Sequence, residues 1–290
     1  MIALGAPLFS RSLREGGDFY FATETNLNPA VRYSTIQKAP ETLTQRISTS
    51  ASKSRLRGQV ALITGATRGI GLAVAHALVA EGCNLILTAR GESALSRAGR
   101  ELKSAKIKIL THSCDVRDPH SVDALFRSAR QKFNRLDILI NNAGIAHPNL
   151  PIEKLPFPVW KNVMETNLDG MFLVTQAALA MMKRGGTVVN NLSIAANRVF
   201  AGSAAYNASK HGALGLSNTL REELRPRGIR VIALLPGATD TNIWTTLWPQ
   251  APRRKMMLPA TVAQVVLAAI VIPANATVES LEILPITGTL

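Results

Sequence analysis

The chain has 290 residues, 47% of them hydrophobic and 18% charged, and a formal net charge of +14. That balance suits a buried core, and no apolar run reaches the roughly 18 residues a membrane-spanning helix needs. The cationic excess suits phosphorylated ligands, but no dense Lys/Arg block with interleaved aromatics is present, so nucleic acid is not an expected partner.

Residues 1–57 are rich in Ser, Thr, Arg and Asn and lack sustained periodicity. They carry no apolar stretch of the secretory type, and Glu15, Asp18, Glu24 and Glu41 disagree with an organelle transit segment. This stretch reads as a mobile extension ahead of one domain over 58–290. From Gly58 onward, apolar strands alternate with helices. Val60–Thr64 is a buried strand, followed by a helix over 69–81 that Gly82 ends. A strand over 84–89, a helix over 95–103 and a strand over 107–113 come next. Asp118 and Pro119 look like an N-cap and first helical residue, opening a helix to Phe133. A strand over 136–140 precedes a long helix over 158–183. A strand over 187–192, a helix over 203–224 and a strand over 230–235 follow. An irregular stretch over 236–259, a helix over 260–270 and a strand over 281–284 close the chain. Seven such strands predict a Rossmann-type, doubly wound parallel α/β sheet with helices on both faces. Cys83 and Cys114 sit in apolar runs and read as buried reduced thiols, which fits a cytoplasmic setting.

The first strand runs into Thr64-Gly-Ala-Thr-Arg-Gly-Ile-Gly71. Glycines at 65, 69 and 71 between a strand and a helix permit a tight turn, with Thr67, Arg68 and Ile70 close to a pyrophosphate at the helix N-terminus. The spacing differs from G-x-G-x-x-G, so the context of strand and helix carries the dinucleotide reading. The second strand ends at Arg90, where an NAD site would place an acidic residue for the ribose hydroxyls. Arg68 and Arg90 together match a ribose 2′-phosphate, so NADP is expected rather than NAD. Tyr206 and Lys210 are four residues apart, on one face of a helix. An ammonium there favours the phenolate and would lower a phenol pKa that is normally near 10.

These motifs add up. Thr64-Gly-x-x-x-Gly-x-Gly71, Asp115-Val116, Asn141-Asn-Ala-Gly144, Asn167, Ser193, Tyr206-x-x-x-Lys210 and Pro236-Gly237 have the order and spacing of the classical short-chain dehydrogenase/reductase family, which the chain resembles over residues 58–290. The resemblance implies a catalytic set of Asn167, Ser193, Tyr206 and Lys210. Tyr206 would be the acid or base, Ser193 would hydrogen-bond the same oxygen, and Lys210 would tune Tyr206 and bind the nicotinamide ribose. Asn167 would anchor a water in a proton relay. Asp115 and Val116 would lie along the adenine. Asn142, Ala143 and Gly144 would line the cofactor, as would Pro236 and Gly237, while Asn141 would brace the sheet. It further implies a carbonyl or alcohol substrate, a homodimer or homotetramer joined through the helices beginning near Pro158 and Ser203, and no metal. His147 reads as a solvated loop residue and His211 as structural.

The substrate pocket is expected from 146–158, 194–201 and 242–258. The last holds Trp244, Leu247, Trp248, Met256 and Met257 as an apolar lid, beside the basic run Arg253-Arg254-Lys255. The ending lacks the Asp-Gly-Gly segment usual in 3-oxoacyl carrier-protein reductases, and so points toward enzymes of small carbonyls without excluding that subgroup. A non-catalytic NADP-sensing scaffold is a third reading, opposed by the intact Asn-Ser-Tyr-Lys set.

Overall fold

The computed structural model describes residues 12–15, 18–21, 55–104 and 106–289. Within the N-terminal stretch, β1 (Ser12–Glu15) and β2 (Asp18–Phe21) pair as an antiparallel hairpin, which the lack of periodicity did not suggest. The rest of the proposed extension, up to residue 54, lies outside the described residues.

The chain then alternates as expected: β3 (Val60–Thr64), α1 (Gly69–Ala80), β4 (Asn84–Ala89), α2 (Glu92–Glu101), β5 (Ile109–Ser113), α3 (Pro119–Lys132), β6 (Leu136–Asn141). Next come α4 (Phe157–Met164), a π turn (Glu165–Asp169), α5 (Gly170–Leu179) and β7 (Met182–Asn191). The chain ends with α6 (Ala204–Leu224), β8 (Arg230–Pro236), α7 (Trp244–Leu247), α8 (Pro259–Ile270) and β9 (Ser280–Ile283). Seven strands form one sheet in the order β5-β4-β3-β6-β7-β8-β9, every pair parallel. This is the doubly wound Rossmann-type fold.

Successive residues of β3 point to opposite faces. Ala61 and Ile63 join α1 and α8 in one core layer, through Leu78, Val262 and Val266. Val60 and Leu62 join α3, α5 and α6 in the other, through Phe126, Val174 and Leu220. Both faces are thus dry, as the continuous apolar strands require. At the N-terminus of α3, the Asp118 carboxylate accepts from His120 N and Ser121 N, with Pro119 opening the helix. Strand order reverses between β3 and β6, and a crevice opens there beyond the carboxyl ends of the strands, where such sheets bind ligands.

The largest departures from the expected boundaries are two. The long helix over 158–183 is interrupted by the π turn around Asn167, and it stops at Leu179. Strand β7 begins at Met182 rather than 187, running through Gly185 at φ +81° and an irregular register against β6. Periodicity reports neither event, because the π turn is made by one-off side-chain bonds: Thr166 Oγ1 donates to Asn162 O at 2.8 Å, and Asn167 reaches out of the helix.

Candidate active site

A cleft of about 1040 Å³ lies over the reversal point. Of the residues expected at a cofactor or catalytic site, Gly65, Thr67, Arg68, Gly69, Ile70, Arg90, Asp115, Val116, Asn142, Ala143, Gly144, Ser193, Tyr206, Lys210, Pro236 and Gly237 line it. Gly71 and Asn167 do not.

Gly71 packs instead of facing the cleft. A Cβ there would lie 2.4 Å from Asn142 Nδ2 and 2.5 Å from Gly65 O, so only glycine lets α1 approach the end of β6. Gly65 and Gly69 hold positive φ, +63° and +57°, as the turn requires. Thr64 welds this loop to β6. Its Oγ1 accepts from both Asn142 N and Ala143 N at 2.9 Å, while Asn142 Nδ2 donates to Thr64 O and Gly65 O. No side chain caps α1, and its first turn holds no acidic residue, so the N-terminal N–H groups and the positive end of the helix dipole face the cleft.

The cations cluster at the end of the cleft nearest β4. Arg97 of α2 lines it beside Arg68 and Arg90. None of the three makes an ion pair among the described residues. Arg97 was not singled out in the sequence, since nothing in its spacing tells which face of α2 turns inward. Asp115 is held by Arg117, whose guanidinium donates to both carboxylate oxygens and to Asn162 Oδ1. That pairing keeps the Asp115 carboxyl below the usual carboxylate range.

At the other end, Tyr206 sits in the first turn of α6 and Lys210 one turn later, its Nζ 5.6 Å from the phenol ring centroid. Lys210 Nζ donates to Asn191 O at 3.1 Å. Ser193 follows β7, and its Oγ accepts from Ala195 N. The electrostatics depart from the sequence expectation. Burial raises the Tyr206 pKa, and the group that pulls it back down is the Ser193 hydroxyl, not Lys210. Lys210, 5% exposed, is itself lowered by burial to about 8. Desolvation penalises the charged form of both groups.

Asn167 lies behind the cleft, beside Gly144 and Lys210: a Cβ on Gly144 would sit 3.3 Å from Asn167 Oδ1 and 3.6 Å from Lys210 Nζ. Its carboxamide clasps Ile145, accepting from the main-chain N at 2.8 Å and donating to the carbonyl at 2.9 Å. Its second amide hydrogen goes to Ser209 Oγ. Asn141 does lie within the sheet's polar bracing, donating to Thr175 Oγ1 and Asn190 Oδ1. Asn191, unremarked in the sequence, lines the cleft. It donates to Asn142 Oδ1, and its own buried Oδ1 has no partner among the described residues.

Other expectations are corrected. His147 is buried, 2% exposed, with Nδ1 bonded to Pro148 O, and is no solvated loop residue. His211 is exposed and bonds Asn207 O of its own helix. Of the three substrate segments, Ala146 and Asn149, then Ile194, Ala195, Val199, Phe200 and Ala201, then Asn242 to Trp244 with Leu247 and Trp248, reach the cleft. Met256 and Met257 are core residues instead, and Arg253 is consumed by Asp240 Oδ1 and Thr241 O. Both cysteines are free and buried, and burial pushes the Cys83 thiol up to about 12. Among the described residues no helix is long and apolar enough to cross a membrane.

A family model described as short chain dehydrogenase matches residues 59–252. The 3-oxoacyl-(acyl-carrier-protein) reductase FabG of Escherichia coli is 37% identical over 192 residues, 66% of this chain and 77% of that protein. Among solved structures, an alcohol dehydrogenase from Thermococcus sibiricus complexed with 5-hydroxy-NADP is 30% identical, with a TM-score of 0.73 over 79% of this chain and 97% of the other. An actinorhodin polyketide ketoreductase with NADPH is 33% identical, with a TM-score of 0.71 over 78% and 96%. With the sheet order, the glycine turn and the Ser-Tyr-Lys cluster already in place, these matches make the chain a member of the classical short-chain dehydrogenase/reductase family of oxidoreductases.

Proposed function

We propose that the protein is an NADP(H)-dependent oxidoreductase that interconverts a carbonyl and an alcohol, with Tyr206 as the proton donor. The convergence of Ser193, Tyr206 and Lys210 in one cleft with the glycine turn carries this reading. The residues fit a dinucleotide. The uncapped α1 N-terminus suits a pyrophosphate, three guanidiniums without an ion pair among the described residues suit a 2′-phosphate, and Asn191 Oδ1, buried without a hydrogen-bond partner among the described residues, suits a donor. When bound, the nicotinamide supplies or accepts the hydride.

The side chains do the rest. Tyr206, whose phenol burial raises further above its ordinary range, delivers its proton to the carbonyl oxygen as that oxygen gains charge. Ser193 Oγ donates to the same oxygen and orients it. Lys210, fixed by Asn191 O, presents a cation beneath the phenol. Asn167 holds the Gly144–Ile145 backbone that separates the cleft from the polar interior. Both of its amide hydrogens are committed, so a relay water at this residue has to be held by an oxygen, side-chain or main-chain.

A 3-oxoacyl thioester reductase is a second reading, favoured by the 37% identity to the Escherichia coli enzyme. The deciding experiment is Tyr206→Phe, followed by NADPH absorbance with ketones, aldehydes, quinones and acyl thioesters. Loss of turnover with NADPH affinity retained is expected, and undiminished turnover would refute the assignment. The same reading places the catalytic unit in residues 58–290 and an oligomer interface on the long helices, where Phe172 of α5 is 47% exposed. Limited proteolysis and light scattering check these two points.

A further inference from the structure

Resting on the carbonyl-reductase reading, we propose that the substrate is an uncharged ketone with an apolar, ring-sized body beside the reacting carbonyl, not a keto acid. Two independent features of the cleft point there. First, large hydrophobic side chains line it while facing water: Val199 is 80% exposed and Trp248 41% exposed. Trp244 and Trp248 form a tilted pair, centroids 6.5 Å apart at 59°, and Trp244 is pinned by a bond from Nε1 to Thr239 O at 2.9 Å. An angled aromatic wall that is already positioned, with exposed apolar area, matches a flat or alicyclic body that covers it.

Second, among the described residues, the part of the cleft lined by Ser193, Tyr206 and the 194–201 and 242–248 segments offers no cation beyond Lys210. Its polar lining is neutral, from residues such as Asn149, Ser203 and Asn242. Of the other cations lining the cleft, Arg90 follows β4 and Arg97 lies on α2, while Arg68 stands in the glycine turn, and all three are assigned above to a 2′-phosphate. Arg253 is committed to Asp240 and Thr241 and Arg198 to Glu282, while Arg254 and Lys255 are exposed and do not line the cleft. Lys210 is spent on Asn191 O beneath the phenol. A carboxylate beside the reacting carbonyl would therefore be desolvated without a partner, which disfavours binding by at least about a hundredfold.

The test compares 4-phenyl-2-butanone with 2-oxo-4-phenylbutanoate, which differ by a methyl against a carboxylate. Binding is measured by calorimetry on the protein saturated with 1,4,5,6-tetrahydro-NADP, whose uncharged ring cannot reduce either compound, and turnover is measured separately with NADPH. The neutral ketone should bind at least about a hundredfold more tightly, and Trp248→Lys or Val199→Arg should narrow that gap at least about tenfold by supplying the missing cation. Equal binding, tighter binding of the acid, or binding of neither compound overturns the proposal. So does a linear acetoacetyl thioester turned over with a higher kcat/KM than the phenyl ketone. Selective binding of the ketone without turnover sustains the substrate class and defeats the reductase reading instead.

Discussion

Replacing Lys210 by Met should stabilise the protein at neutral pH while abolishing its activity. Lys210 is 5% exposed, and burial lowers its pKa from 10.5 to about 8. That lowering corresponds to roughly 3 kcal/mol of folding free energy opposed by holding the charge in the interior. Methionine fills a similar volume without the charge, but it forfeits the bond to Asn191 O, worth about 1 kcal/mol. The net gain at pH 7 is about 2 kcal/mol. The sign reverses with pH. Between about 8 and 10.5 the unfolded chain holds a proton that the folded one has lost, so wild-type stability rises across this window relative to the variant. Above it the variant should be the weaker by about 1 kcal/mol, the lost hydrogen bond alone. Urea unfolding of both proteins from pH 7 to 10.5, followed by circular dichroism, reads the difference directly. A variant less stable at pH 7, or a gap that does not change with pH, would show that Lys210 is not held at an electrostatic disadvantage. The trade of stability for function is expected wherever a site needs a buried charge.

Further outcomes follow from the same geometry. Because kcat/KM reports the free enzyme, carbonyl reduction should decline as pH rises through about 8, where Lys210 loses its charge, and a flat profile to pH 10 would exclude a charged Lys210 from the step. Arg97→Asp and Arg90→Asp should each weaken NADPH at least about tenfold and NADH little, by fluorescence titration, since each removes a cation suited to a 2′-phosphate. Equal losses for both cofactors would remove the phosphate argument. Gly71→Ala forces a methyl into Asn142 and the Gly65 carbonyl and should cost about 2 kcal/mol in chemical denaturation, whereas an unchanged midpoint would mean that α1 shifts freely. Thr64→Val keeps the shape but leaves Asn142 N and Ala143 N without their acceptor, so KM for the cofactor should rise with kcat little changed.

Much of this protein is legible along the chain, because its determinants are local. Strands buried on both faces must read as apolar runs, Asp118-Pro119 must cap a helix, and a turn needing positive φ must carry glycine at 65 and 69. A four-residue offset puts Tyr206 and Lys210 on one helical face whatever surrounds them. What the sequence withheld depends on contacts between distant segments. Asn167 bends its helix into a π turn because its carboxamide meets Ile145, 22 residues away. Gly71 serves packing against Asn142, and Arg253 is taken up by Asp240, so a motif glycine and the first arginine of a basic run are diverted from the cleft. Most of all, the charge balance at Tyr206 and Lys210 was decided by burial. Spacing sets their proximity, but only the tertiary fold removes the water whose loss raises one pKa and lowers the other.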